Sequence, residues 1–104
     1  MTIQINTDKT ITGEKRSIDF FTSQIAEALQ RFESHITRIE VHLKDENGKK
    51  DGFNDVSCLI EARLEGRQPI AITNKANTID LAVSGAIDKI KTAIETILGR
   101  IQKH

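Results

Sequence analysis

The side chains best suited to catalysis in this sequence are one cysteine, one histidine and two glutamates. Cys58 and His42 could in principle act as a thiol and its base. Strand alternation directs Cys58 inward and His42 outward, so we expect them on opposite faces of a sheet. Glu40 and Glu61 could form an acid–base cluster with His42, but a ladder of charges between neighbouring strands is the simpler interpretation. We therefore predict that the chain is not an enzyme.

The sequence predicts neither a metal site nor a cofactor. The segment Lys44 to Val56 contains four Asp or Asn side chains that could supply oxygen ligands. Counted from Asp45, however, the fifth and sixth positions are Lys49 and Lys50, where an EF-hand needs an oxygen ligand and a glycine. The three histidines lack metal-ligand spacing, and there is no Gly-rich phosphate loop. This segment is therefore predicted to be a hairpin loop, and no small-molecule substrate is expected.

Basic side chains are the remaining candidates, since Lys and Arg bind the phosphates of nucleic acids. Fifteen basic and fifteen acidic residues cancel, so any such attraction must be local and must weaken with salt. The candidate nucleic-acid-binding residues are Lys89, Lys91, Arg100 and Lys103 on the last predicted helix, Arg16 and Arg31 on the first, and Arg63 and Arg67 near a hairpin turn. Stacking on bases is not expected of Phe21 and Phe32, which fall in a core stripe, and only Phe53 is predicted to be exposed.

Alternating apolar residues predict the strands that would position these groups. The alternating segments are Thr2 to Thr7, Ile39 to Lys44, Cys58 to Glu65 and Ile70 to Thr73. Between the last two, Gly66-Arg67-Gln68 predicts a turn, and Pro69 suits the start of a strand or a sheet edge. The last two strands are therefore predicted to form a hairpin with one apolar face.

Apolar residues spaced by three and four predict two amphipathic helices. The first begins near Gly13 or Glu14 with Thr12 as its cap, and its stripe continues to Ile36. The second begins after Asn77, the predicted N-cap, and its stripe continues to Ile101. Gly85 lies within this second stripe, which predicts a close approach of the helix backbone to the sheet or to the first helix.

The element order predicts an α+β fold, a two-layer β-α-β-β-β-α sandwich. A four-stranded mixed sheet would carry both helices on one face, and the strand–helix–strand unit would be parallel. We expect one domain over residues 1–104. The other sheet face would then present Glu40, His42, Glu61 and Arg63.

Cysteine usage and apolar run lengths predict a cytoplasmic location. The single cysteine, Cys58, cannot form an internal disulfide and is predicted to be a buried core thiol. No apolar run has the length of a signal peptide or of a membrane span. We therefore expect neither secretion nor a membrane partner, and the oligomeric state is left open.

The C-terminal part of the chain resembles a known family. From Glu61 onwards the sequence, EARLEGRQPIAITNKANTIDLAVSGAIDKIKTAIETILGRIQKH, is similar to the ribosome hibernation-promoting factor and ribosome-associated inhibitor family, also called ribosomal subunit interface or sigma-factor modulation proteins. The pair Asp88-Lys89 is the clearest shared element, and the element order agrees along the chain. One departure is Asp80, where the family typically has tyrosine.

The resemblance implies both a fold and a function. The implied fold is similar to that of double-stranded-RNA-binding domains. The implied function is a translation inhibitor or hibernation factor that binds the small ribosomal subunit and its RNA under stress or in stationary phase, through basic residues on its helices. The equal numbers of acids and bases keep one alternative open, which is a protein-binding regulatory module that retains the fold but not strong binding to ribosomal RNA.

Overall fold

A computed structural model describes residues 1–7, 15–45 and 56–102, with side chains described over 1–7, 17–45 and 56–99. The elements, in chain order, are β1 (Thr2–Thr7), α1 (Lys15–Ala28), a 3-10 helix (Gln30–His35), β2 (Ile36–Asp45), β3 (Val56–Leu64), β4 (Ile70–Ala76) and α2 (Ile79–Gln102). The predicted hairpin loop after Asp45 lies outside the described residues, as does the predicted cap Thr12.

The four strands form one mixed sheet in the order β1-β2-β3-β4. β1 and β2 are parallel and joined through α1, whereas β3 is antiparallel to both β2 and β4. A central row aligns Ile5 with Val41, Val41 with Ile60, and Ile60 with Ile72. The predicted two-layer α+β sandwich is confirmed.

One face of the sheet and one stripe of each helix form the core. The buried residues include Ile25 and Leu29 of α1, Ile39 and Val41 of β2, Cys58 and Ile60 of β3, and Val83, Ile90 and Ile94 of α2. All belong to a single hydrophobic cluster, so both helices cover the same sheet face. The inward orientation predicted for Cys58 is confirmed, since its exposure is 0%.

The first helix is shorter than the apolar spacing predicts. It ends at Ala28, and the chain continues as a 3-10 helix in which Phe32 N–H donates to Leu29 O at 2.9 Å. Ile36, with φ −105° and ψ 123°, already begins β2. The prediction that the helix continues to Ile36 was wrong, because the step of three from Leu29 to Phe32 fits a 3-10 helix as well as an α-helix, and Ile36 is buried as part of β2.

The cap of α2 is Thr78 rather than Asn77. Leu81 N–H donates to Thr78 Oγ1 at 3.2 Å, and Ala82 N–H donates to Thr78 O at 2.9 Å. A capping side chain bonds the backbone N–H two or three residues later, and Thr78 has this geometry. The prediction of Asn77 as the cap was therefore wrong by one residue, although Asp80 does lie in the first helical turn, where an acid is favoured.

Two glycines have structural reasons for their positions. Gly66 has φ +73°, a conformation that glycine adopts without steric cost and that closes the turn between β3 and β4. Gly85 faces Asn74 of β4, and a Cβ there would lie 2.8 Å from Asn74 Cγ. The space allows Asn74 Nδ2 to donate to Ala82 O at 3.2 Å. The close approach predicted from Gly85 is confirmed.

Candidate nucleic-acid interface

The two lysines in the middle of α2 lie on different flanks of the helix. Lys89 is exposed and its Nζ donates to Thr73 O of β4 at 3.1 Å. Lys91 is half-buried and lies one turn before Glu95, on the flank that faces α1. Two residues correspond to about 200° of rotation around an α-helix, so Lys89 and Lys91 do not share a face.

Arg31, in the 3-10 helix after α1, contacts α2. Its Nη2 lies 2.8 Å from Glu95 Oε1, and its guanidinium carbon lies 4.6 Å from the centre of the Phe32 ring. The Arg31 side chain is still 61% exposed. A cavity of about 370 Å³ adjoins this contact and is lined by Arg31, Phe32, His35, Glu95, Leu98 and Gly99. Arg31 is therefore oriented by two partners and remains accessible to a ligand.

Charged residues cover the open face of the sheet in rows of like sign. Arg38 lies opposite Arg63, and Glu40 lies opposite Glu61. The ion pairs run along each strand instead, at 3.0 Å between Arg38 and Glu40 and at 3.3 Å between Arg63 and Glu61. Arg38 also donates to Gln4 of β1. The predicted charged face is present, but each arginine on it is paired with a glutamate on its own strand.

Sequence reasoning missed Arg38 because the predicted strand began at Ile39. Extending the outward-facing alternation back from Glu40 by two residues would have identified Arg38. Arg67 is exposed in the turn after Gly66, at the same end of the sheet as Arg63. Arg63 and Arg67 thus belong to the sheet layer, whereas Lys91 and Arg31 belong to the helix layer. The predicted basic side chains that the structure describes are therefore divided between the two layers.

Four predicted residues are only partly described or lie outside the described residues. Position 16 is in the first turn of α1 and position 100 in the last turns of α2, and their side chains are not described. Lys103 and Phe53 lie outside the described residues.

Phe20 is a surface aromatic that sequence reasoning missed. Its side chain is 61% exposed, and its ring meets the buried Phe21 ring edge-on, with centroids 5.6 Å apart and planes at 64°. The core stripe through Ile18, Phe21 and Ile25 leaves Phe20 about 100° away from Phe21, which was the available signal. An aromatic side chain for stacking is therefore present on the helix layer.

The structure separates the groups considered for catalysis. Cys58 is fully buried and burial raises the pKa of its thiol to about 12, so the thiolate is disfavoured at neutral pH. His42 is exposed on the opposite sheet face, where it lies beside Leu59.

Within residues 1–7, 15–45 and 56–102, no group of three or more His, Cys, Asp or Glu residues could hold a metal ion. No helix in this part of the chain is long and apolar enough to cross a membrane.

Comparison with known proteins identifies the family. Residues 10–102 match the model for the sigma 54 modulation protein / S30EA ribosomal protein family. The chain belongs to this family. The resemblance noted from the C-terminal sequence is thereby confirmed and extends over most of the chain. No curated protein sequence matches significantly.

Two solved structures share the fold of this family member. The N-terminal domain of Protein Y from Thermus thermophilus has a TM-score of 0.74 at 15% identity, with 93% of this chain and 99% of that chain covered. A ribosomal subunit interface protein from Coxiella burnetii has a TM-score of 0.69 at 15% identity, with 95% and 99% covered. At this identity the likeness concerns the fold, and the residues of the interface must be argued from this chain.

Proposed function

We propose that this protein binds the small ribosomal subunit through its ribosomal RNA and inhibits translation in the cytoplasm under stress or in stationary phase. The observation that carries the proposal is the family match over residues 10–102, together with the shared fold of a ribosomal subunit interface protein. A non-enzymatic role fits the burial of the only cysteine.

The helix layer offers the better interface for RNA. Arg31, in the 3-10 helix, is held by Glu95 of α2 yet largely exposed, and Lys91 lies one turn before Glu95 on α2. On the sheet face, Arg38 and Arg63 are each neutralised by a glutamate two residues away on the same strand. Arg31 is paired as well, with Glu95, but its side chain is the most exposed of the three arginines, at 61% against 37% for Arg38 and 55% for Arg63. Because a phosphate must reach the positive group, the helix layer is the surface to test first.

The test is co-sedimentation with purified small subunits at several salt concentrations. The wild-type protein is expected in the subunit fraction at low salt and at the top of the gradient at high salt. Arg31→Glu should weaken binding at least tenfold at about 0.1 M salt, since one phosphate contact contributes roughly 0.9 to the slope of log affinity against log salt.

Arg67→Glu is the matched control for this variant. It has the same change of charge on an exposed arginine, but in the turn of the sheet layer. We expect it to lower affinity only slightly, through the change in net charge. Wild-type protein that stays at the top of the gradient at low salt would contradict the proposed function, and equal loss in both variants would contradict the helix-layer interface.

A second function is favoured by the pairing of arginines with glutamates. Arg31, Arg38 and Arg63 each form an ion pair within the chain, which lowers the charge available to RNA. This arrangement suits a regulatory module that binds another protein. Pull-down of a defined protein from nuclease-treated lysate, without ribosomal RNA, would support this alternative.

A further inference from the structure

Phe20 is one of two large apolar side chains that are exposed among the described residues, the other being Leu81 at 58%. Exposure of 61% leaves most of the Phe20 ring accessible to solvent. The edge-on contact with Phe21, which is buried in the core, restricts the orientation of the ring. The result is an aromatic surface that is held in place and open on its outer side.

The helical neighbours of Phe20 are small or polar. Residues three positions away on an α-helix are adjacent, and these are Ser17 and Ser23, both exposed. Gln24 lies one turn further along. Protein interfaces place their aromatic anchors among other apolar side chains, which are missing from these neighbouring positions of α1. A single ring in polar surroundings suits a nucleobase, which has a flat apolar face and a polar edge.

Arg31 lies beyond Phe20, in the 3-10 helix after α1, roughly 18 Å further along the axis. Two exposed acids lie near Phe20 on α1, Asp19 next to it and Glu27 two turns after it. Single-stranded RNA is bound where aromatic rings alternate with positive groups, because bases stack on the rings while phosphates contact the charges. Phe20 on α1 and Arg31 on the 3-10 helix supply one ring and one positive group in the same layer.

We propose that Phe20 stacks on an unpaired base of ribosomal RNA while Arg31 contacts the phosphate backbone of the same strand. This inference rests on the proposed function and adds to it a contact that does not depend on charge. Binding should therefore have one component that weakens with salt, from the arginines, and one that does not, from the aromatic ring.

The test measures the affinity of four variants for purified small subunits at two salt concentrations. Phe20→Ala should weaken binding roughly five- to 150-fold, the range for loss of one base stack, with an unchanged salt dependence. Phe20→Leu should be nearly as weak, because leucine keeps apolar bulk but cannot stack. Phe20→Trp should bind at least as tightly as wild type, and Leu81→Ala, the matched exposed control, should bind like wild type. Because Phe20 is exposed, thermal unfolding should confirm that all variants are folded.

Ultraviolet crosslinking of the complex, followed by mass spectrometry, identifies the contacted molecule. We expect the tryptic peptide covering residues 17–31 to carry a nucleotide. A Phe20→Leu variant that binds like wild type, or a peptide crosslinked only to a ribosomal protein, would show an apolar protein contact and overturn the inference. Unchanged affinity of Phe20→Ala would also overturn it while leaving the proposed function intact. Failure of the wild-type protein to bind subunits would overturn both.

Discussion

The two flanks of α2 are attached to the rest of the molecule in different ways. On the flank towards β4, Lys89 donates to Thr73 O, and Asn74 fills the space beside Gly85 to reach Ala82 O. The first contact ends on a backbone carbonyl of β4 at the edge of the sheet, and the second on a backbone carbonyl of α2. On the flank towards α1, the contact is an ion pair between Glu95 and Arg31, whose side chains are 44% and 61% exposed.

This difference separates basic residues that serve the fold from those free to serve a partner. A lysine that satisfies a backbone carbonyl on an edge strand also protects that edge from pairing with another chain. An exposed ion pair contributes about 0–1 kcal/mol and can be exchanged for a phosphate at little cost. We therefore assign Lys89 to the fold, and Arg31 and Lys91 to the proposed interface.

The largest expected effect is the energetic coupling between substitutions at Gly85 and Asn74. Gly85→Ala should change the free energy of unfolding little, because a gain of about 1 kcal/mol in helix propensity is offset by displacement of Asn74. In an Asn74→Ala background, the same substitution should stabilise the protein by about 1 kcal/mol. Urea unfolding of the four proteins should give a coupling energy of about 1 kcal/mol.

Gly99 provides the control for this cycle. It also lies in α2, but a Cβ there would have no neighbour within 4 Å. Gly99→Ala should stabilise the protein equally with and without Asn74. If Gly85→Ala changes the free energy of unfolding equally with and without Asn74, the flank of α2 towards β4 is not closely packed. The proposed difference between the two flanks would then be wrong.

A smaller effect is expected from Glu95→Gln on the other flank. Removing the acid frees Arg31 and should raise affinity for small subunits about two- to fivefold, which corresponds to the weak ion pair lost. Stability should change by less than about 0.5 kcal/mol, since both side chains are exposed. The control is Asp88→Asn, which removes another exposed acid of α2. An equal gain in both variants would mean that net charge alone matters.

The smallest effect is expected from Lys89→Met. Ribosome affinity should stay within a factor of about two, and the free energy of unfolding should fall by no more than about 1 kcal/mol, the usual contribution of one hydrogen bond. Lys91→Met, two residues away, should weaken subunit binding while leaving stability similar. Co-sedimentation with small subunits and urea unfolding of the two variants check this prediction. Weaker binding by Lys89→Met than by Lys91→Met would exchange the roles of the two flanks.

The fold was predictable because each pattern had one structural solution. Alternation through Val41 and Ile60 could only bury one face of a strand, and the Ile90 and Ile94 spacing could only bury one stripe of a helix. The end of α1 was not predictable, because Phe32 follows Leu29 at a spacing of three that α and 3-10 helices share, and Ile36 is buried as the first residue of a strand. Element boundaries therefore depended on backbone geometry that apolar spacing does not encode.

The candidate interface was only partly predictable from the sequence. The basic residues were identified by type, but which of them share a surface depends on helix rotation and strand register. Lys89 and Lys91 are neighbours in sequence and lie on opposite flanks, while Arg31 and Glu95 are distant in sequence and in contact. The core stripe includes Phe21 and leaves Phe20 outside it, so the exposure of Phe20 followed from the spacing but was overlooked.

The sequence by itself determined which residues are apolar and at what period, and hence the two layers, the buried cysteine and the family. Only the tertiary structure decided which charges are neutralised, because ion pairs such as Arg31–Glu95 and Arg63–Glu61 depend on distances of a few ångströms between side chains. Burial of apolar groups depends on area and tolerates such shifts, whereas electrostatic pairing and stacking depend on geometry.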